Sequence, residues 1–542
     1  MQPPNQENTT SISKMLLAIA LTILCLSIYS YFFPQEKKES NPTQALPQDK
    51  QVAQAPMQNT PTQAPAQSTS NADVLTIVKS RDFDIEIDSL GRIKQVYFKD
   101  KKFITPPQEN LLSKLFGKKK DVALPDRLPL FDSASIRALE VRFADTALNE
   151  LAFKNAYQTS SKEVVLDKEP VKIELTQSLG NESFKKILTI NPDLSYKIEL
   201  IASNPSMQYF ITNGARPMVE NDTYVFLGTI VQKDGGTLEK FEKDDVEGVE
   251  NFKDSTFVAS VDRYFASILF DKGGKKLDVL VDGNIKSQSP IAFVSLQGSA
   301  SVDGYIGAKN YQELKALYPP LTDVVEYGLI TFFAKPLFLL LEVLHNLIGN
   351  WGWAIVMLTI LVRVALFPLS YKGMLGMQKL KDLAPQMKQI QAQYKDDPQK
   401  MQKHIMELYK KNGANPLGGC LPLLLQIPVF FAIYKVLYCA VELKAEPWIL
   451  WIHDLSVIDP YYILPLVMGI TMYISQMMTP TTYTDPMQEK VFKLLPLFFT
   501  IFFIIFPFPA GLVLYWSVNN LLSIAQQMLI NRIVAKQKEA KQ

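Results

Sequence analysis

The stretch WGWAIVMLTILVRVALFPL, residues 351–369, holds nineteen residues of which one, Arg363, is charged. As a helix it measures about 28 Å, close to the hydrocarbon thickness of a bilayer, so it reads as a membrane span. A guanidinium near the middle of such a helix costs roughly 2.5–3.5 kcal/mol, which directs it toward protein or a water-filled cavity and away from lipid. Snorkelling competes with that reading. Arg363 precedes Leu369 by six residues, about 9 Å of helix, and a long side chain covers much of that distance. Within this segment alone the two readings balance.

Further apolar stretches lie downstream, at residues 417–440, 461–478 and 491–531. The last has 41 residues, about 60 Å of helix and twice the hydrocarbon thickness. Pro507-Phe508-Pro509-Ala510-Gly511 interrupts it, predicting two spans, 491–506 and 510–531, joined by a tight turn. Upstream, residues 329–348 are apolar but interrupted by Lys335-Pro336, Glu342 and His345, so an interfacial amphipathic helix is expected within 319–350. Residues 15–33 are uncharged, follow Lys14 and end in Tyr31-Phe32-Phe33-Pro34, which offers no small-x-small cleavage site. They read as a retained first anchor. The expected total is six transmembrane helices.

Between anchor and bundle the composition changes twice. Residues 34–73 contain six Pro and eight Gln with almost no large apolar side chains, the composition of a disordered tether. Residues 74–318 then alternate with period two, as in Phe83, Ile85 and Ile87 against Asp82, Asp84, Glu86 and Asp88. Leu90-Gly91 and Asn191-Pro192-Asp193 supply turns between such runs, and an all-β sandwich of about 240 residues is expected. Net charge is +2, which gives no support for DNA binding. Cys25, Cys420 and Cys439 lie in apolar stretches, and His345, His404 and His453 are scattered without ligand spacing. Neither a disulfide framework nor a metal site is expected, and no phosphate-binding GxxxxGK[ST] loop occurs, so no cofactor is predicted.

Residues 370–416 carry nine Lys against Asp382, Asp396, Asp397 and Glu407, whereas 441–460 carry Lys444 against Glu442, Glu446, Asp454 and Asp459. The bias places 370–416 and the tail 532–542 in the cytoplasm, with both termini, and leaves the β region on the far side. The loop 479–490 is nearly neutral. Within 370–416, Met374, Met377, Leu380, Leu383, Met387, Ile390 and Tyr394 recur at helical spacing, and Asp396-Asp397-Pro398 starts a second run through Met401, Ile405 and Leu408. This predicts a helical hairpin. Its Met-rich and basic faces, including Met374, Met377, Lys379 and Lys388, either pack on each other or form a docking surface for apolar clients or an anionic partner.

The last span tilts the reading of Arg363. Trp516, Asn520, Ser523 and Gln527 follow i, i+4, i+7 and i+11, and Tyr515, Asn519 and Gln526 line the adjoining stripe. Amides are costly in lipid, so this polar face turns inward. Gln426, Gln476 and Thr359, the last four residues before Arg363, are candidates to join it. The bland alternative is that these groups only hydrogen-bond the bundle together; with an arginine among them, a wet intramembrane cavity is the better reading.

Asn350-Trp351-Gly352-Trp353, Phe367-Pro368-Leu369, Asn415-Pro416-Leu417-Gly418-Gly419-Cys420, Trp451-Ile452-His453-Asp454-Leu455, Asp459-Pro460-Tyr461-Tyr462, Asp485-Pro486-Met487-Gln488 and Gly511-Leu512-Val513-Leu514-Tyr515 resemble, in order and spacing, the YidC membrane protein insertases. The resemblance is close over 320–532; the anchor, tether and β region resemble the Gram-negative form by layout. It implies six membrane helices, five of them a conserved core, with a periplasmic β-supersandwich, in the bacterial inner membrane. It also implies an energy-independent insertase and chaperone, not an enzyme, that serves nascent membrane proteins alone or beside the Sec translocon, with the ribosome and membrane lipids as further partners. Arg363 then lies in a hydrophilic groove; Thr359, Tyr515 and Trp516 match positions lining the substrate path, and Gln426, Gln476, Asn519 and Asn520 are candidate neighbours. The turn Phe506-Pro507-Phe508-Pro509-Ala510-Gly511 is longer than the family's Phe-Pro-Ser-Gly form. Two rival readings are a solute transporter or channel with Arg363 as its anion site, which predicts internal repeats, and a membrane-anchored carbohydrate-binding protein or enzyme, which predicts paired carboxylates in the β region. Neither pattern is evident in the sequence.

Overall fold

The computed structural model describes residues 61, 73–104, 125–132, 135–219, 225–243, 245–285, 289–395, 397–413, 421–478, 486–506 and 508–539. The expected anchor at 15–33, most of the tether, the Asn415 to Cys420 motif and Pro507 lie outside them. The described chain forms two compact units, one ending at Glu326 and one running from Tyr327.

The first unit is built from two sheets. Five strands take the order Leu128–Pro129, Ile93–Phe98, Phe83–Asp88, Val74–Lys79, Glu163–Val165. Ten strands of the larger sheet run Val141–Phe143, Gln208–Thr212, Ile291–Gln297, Leu277–Asp282, Val249–Val261, Phe265–Phe270, Ala300–Ala308, Ser195–Ala202, Glu182–Ile190, Val171–Leu179. Gly228–Lys233, which carries Leu238–Phe241, also pairs with Val249–Val261. That long strand serves several partners because it is bulged between Phe252 and Ser255, where Asp254 adopts φ +57°. Short helices α1 (Lys101–Ile104), α2 (Thr146–Lys154) and α3 (Tyr311–Leu317) fill the margins. The two predicted turns fall between Phe83–Asp88 and Ile93–Phe98, and between Glu182–Ile190 and Ser195–Ala202.

The sheets meet through rings and through charge. Phe265 of the larger sheet touches Phe98 and Phe103, with centroids 5.1 and 4.9 Å apart. At the opposite end of the Phe83–Asp88 and Ile93–Phe98 strands lies a buried ionic network. Asp88 Oδ2 accepts from Arg92 Nε at 2.8 Å and from Arg137 Nη1 at 2.5 Å, while Glu140 accepts from Arg92 Nη1 and Arg142 Nε, each at 2.9 Å. Lys186, on Glu182–Ile190, donates to the carbonyls of Gly91 and Leu139 at 3.0 and 2.8 Å. It thereby ties the larger sheet to the turn that follows Phe83–Asp88.

In the second unit the helices are α4 (Thr331–Ile348), α5 (Trp351–Ala365), α6 (Phe367–Gln393), α7 (Pro398–Lys411), α8 (Leu421–Cys439), α9 (Ile463–Met478), α10 (Pro486–Ile505) and α11 (Ala510–Glu539). Among the described residues α4 alone is long and apolar enough to cross a membrane by itself. Length and composition therefore do not separate a span from the interfacial helix expected there. The other candidate is the α5–α6 pair, bent by 63°. The bend falls at Leu366, because Pro368 in the first turn of α6 starts a helix more readily than it continues one.

Close approach requires two glycines. A Cβ on Gly352 would lie 2.2 Å from the Trp448 ring, and one on Gly469 would lie 1.9 Å from Thr500 Oγ1, where α9 meets α10. At the start of α11, where helix N–H groups lack internal partners, Ala510 and Gly511 donate to the carbonyls of Val457 and Leu455 at 2.6 and 2.9 Å. The loop before α9 thus holds α11 in place, and with it the residues that face Arg363.

Candidate functional site

Arg363 lies in the last turn of α5, half-buried, beside α11. Its Nε donates to Asn519 Oδ1 at 2.7 Å, and its Nη2 to the Asn519 carbonyl at 3.1 Å and Ser523 Oγ at 2.6 Å. Nη1 reaches Gln526 Oε1 at a weak 3.5 Å. Asn519, Ser523 and Gln526 recur at i, i+4 and i+7, one line along α11. Among the described residues no carboxylate pairs with Arg363. A narrow recess, with room for about one water, is lined by Val362, Arg363, Leu366, Ser370, Gln426, Val429, Tyr515 and Asn519.

The predicted site residues divide into two groups. Arg363, Asn519, Tyr515 and Gln426 come together at this recess, and Ser370, the first residue of the expected cytoplasmic segment 370–416, joins them. The others go elsewhere. Thr359 is buried, and its Oγ1 donates to the Ile355 carbonyl one turn back, at 2.7 Å. Trp516 packs among Phe430, Phe499 and Phe503, with centroids 4.7, 5.7 and 5.0 Å away. Asn520 turns to α9, where its Nδ2 donates to the Met468 carbonyl at 3.4 Å, and Gln476 Nε2 donates to the Phe492 carbonyl of α10. Ser523 and Gln526 were legible as members of the polar stripe. Their role as the arginine's acceptors follows from the rotation of α11, which the stripe alone does not define.

In the α6–α7 hairpin, Leu383 and Met387 are buried, and Tyr409 donates its hydroxyl to Met387 Sδ at 3.2 Å. Tyr394 and His404 stack with centroids 4.5 Å apart. Part of the predicted apolar stripe thus closes the hairpin on itself. Met374 and Met377 are half-buried, whereas Lys379, Lys388 and Met406 are exposed.

An apolar helical bundle holding one arginine among neutral oxygens, on a chain that also carries a β-sandwich unit, marks a membrane protein. The family models described as "60Kd inner membrane protein" and "YidC periplasmic domain" match residues 343–538 and 126–340. The chain is 50% identical over 534 residues to the membrane protein insertase YidC of Helicobacter pylori, covering 97% of both chains. It is 49% identical to that of Wolinella succinogenes, covering 97% of this chain and 96% of the other, and 44% identical to that of Campylobacter jejuni, covering 99% of both. The chain belongs to the YidC family of membrane protein insertases.

Proposed function

We propose that this chain inserts and chaperones inner-membrane proteins through a hydrophilic groove centred on Arg363, without an energy source of its own, acting alone or beside the Sec translocon. The observation that carries the reading is the arginine's set of partners: amide, carbonyl and hydroxyl oxygens, with no carboxylate among the described residues. Its charge is solvated by the protein without being cancelled. A client's acidic residue arriving within about 4 Å gains on the order of 4 kcal/mol at an effective dielectric near 20, before desolvation is charged against it. That is comparable to the cost of carrying one charge into the bilayer.

Short helices serve the same end. The fifteen residues of α5 and sixteen of α9 measure about 22 and 24 Å, less than the usual hydrocarbon thickness of about 30 Å. A bilayer thinned to match them shortens the path a polar segment must cross. In this reading six helices span the membrane, α4 lies at the interface, both termini and the α6–α7 hairpin are cytoplasmic, and the β unit is periplasmic. The exposed Lys379 and Lys388, with Met374, Met377 and the basic tail, then meet ribosome, lipid headgroups or emerging clients.

A reconstituted insertion assay with single-span clients tests this. Arg363→Ala is expected to lower insertion of a client with an acidic translocated tail roughly tenfold, and Arg363→Lys by less, since the charge is kept while the planar fork is lost. Equal impairment by both, or by neither, overturns the charge-based mechanism. Photocrosslinkers at Gln426 and Trp516 are expected to capture the client in transit; lipid adducts alone would remove the groove.

A further inference from the structure

The contacts of Arg363 are distributed unevenly over its donors. A guanidinium carries five N–H donors. Nε takes Asn519 Oδ1, and both N–H groups of Nη2 are used, on the Asn519 carbonyl and Ser523 Oγ. Nη1 has two N–H groups and a single long contact, to Gln526. One edge of the fork is therefore gripped by α11 while the other keeps a donor in reserve. The grip is directional. Ser523 Oγ donates to the Asn519 carbonyl at 2.9 Å, so the hydroxyl hydrogen points away from the arginine and a lone pair faces Nη2. Both side chains hold the cation in a fixed orientation without contributing a negative charge.

Building on the reading of Arg363 as the client's foothold, we propose that Asn519 and Ser523 are positioning residues that set the preference for acidic client tails. They hold the guanidinium by neutral oxygens and so leave its charge and one Nη1 donor for a client carboxylate. An aspartate at 519, nearly the same shape, would place a carboxylate oxygen where Asn519 Oδ1 now sits, 2.7 Å from Nε, and would occupy Arg363 permanently. Without the Ser523 hydroxyl, one of the two Nη2 contacts is lost and the fork is free to swing.

The test compares two single-span clients that differ only in having two aspartates or two asparagines in the translocated tail, inserted into liposomes by the full-length protein. The readout is the ratio of acidic to neutral client inserted. Asn519→Asp is expected to lower that ratio roughly tenfold, Ser523→Ala roughly threefold, and Ser523→Thr, which keeps the hydroxyl, to restore it. A merely structural role lowers both clients alike and leaves the ratio unmoved; that result, or an unmoved ratio with no loss at all, overturns the proposal. Arg363→Ala in parallel separates the two levels of argument. If it lowers the ratio while Asn519→Asp does not, the positioning role falls and the foothold stands. If Arg363→Ala itself leaves the ratio unchanged, the foothold falls and the positioning role with it.

Discussion

Two of the arginine sites among the described residues are built in opposite ways. In the β unit, Arg92, Arg137 and Arg142 share Asp88 and Glu140, and every one of these five side chains is less than a twentieth exposed. In the helical unit, Arg363 makes four contacts, to Asn519, Ser523 and Gln526, and none of these partners carries a charge. Ion pairing closes the first site: its electrostatic field is spent internally, and what it provides is a specific seam between sheets. Neutral acceptors leave the second open. They lower the cost of burying the cation while letting its field act on whatever enters. On the proposed function, the choice of acceptor, more than burial, separates a structural arginine from a binding one.

The largest expected effect breaks the closed site. Asp88 accepts from Arg92, Arg137 and the backbone N–H groups of Leu90 and Arg92, so Asp88→Ala strips Arg137 of its carboxylate and leaves Arg92 with Glu140 alone. It should destabilise the β unit by about 3–5 kcal/mol, measured by urea-induced loss of β circular dichroism in the full-length protein. A change below about 1 kcal/mol would mean that the network is solvated and the contrast with Arg363 is false.

Next comes the pH dependence of the same seam. Burial lowers the Lys186 ammonium from its ordinary value near 10.5 to about 7, against the opposing pull of Asp88 and Glu140. The unfolded chain then keeps this proton to higher pH than the folded chain does, so stability is least below pH 7 and rises between about pH 7 and 10. The rise should be on the order of 3 kcal/mol. It should vanish in Lys186→Met, and an unchanged slope in that variant would show that Lys186 remains charged on its two carbonyls.

How much of this contrast was legible in the sequence differs between the two sites. Period-two alternation around Phe83, Ile85 and Ile87 pointed to a strand, and Leu90-Gly91 to the turn behind it. The network itself joins Arg92 to Glu140 and Lys186 to Leu139, separations of 48 and 47 residues that no local pattern encodes. Arg363 stood out at once because a charge among apolar residues is conspicuous, and helical spacing supplied its candidate partners on α11. What spacing did not resolve is the rotation of that helix. Trp516 and Asn520 are displaced from Asn519 by roughly 60° and 100° around the axis, enough to send one into an aromatic cluster and the other to α9. Thr359 shares a face with Arg363 by spacing, but its hydroxyl is taken up by the Ile355 carbonyl, the usual resort of a hydroxyl within an apolar helix.

A smaller effect, on function, sharpens the open site. Arg363→Lys keeps the charge but replaces a planar fork by a compact ammonium that cannot meet Asn519 and Ser523 in the same geometry. Acidic-tail insertion should fall roughly threefold, between wild type and the larger loss expected of Arg363→Ala, when initial rates are measured in liposomes. A loss as large as that of Arg363→Ala would mean that fork geometry matters more than charge.

The smallest expected effect is the most discriminating. Arg363→Met keeps the length of the side chain and removes the cation, and no charged partner is left behind. Ser523 Oγ still donates to the Asn519 carbonyl, so the main orphan is Asn519 Oδ1, a single acceptor at the edge of a recess that admits about one water. The cost in helical stability should be about 1 kcal/mol, measured by denaturant-induced loss of helical circular dichroism in detergent. Deleting a cation from the carboxylate network, as in Arg92→Met, takes one partner from each of two buried anions, leaving Asp88 with Arg137 and Glu140 with Arg142, and should cost several times more. If the two substitutions cost the same, Arg363 is a structural residue like the others, and the proposed selectivity for acidic clients loses its basis.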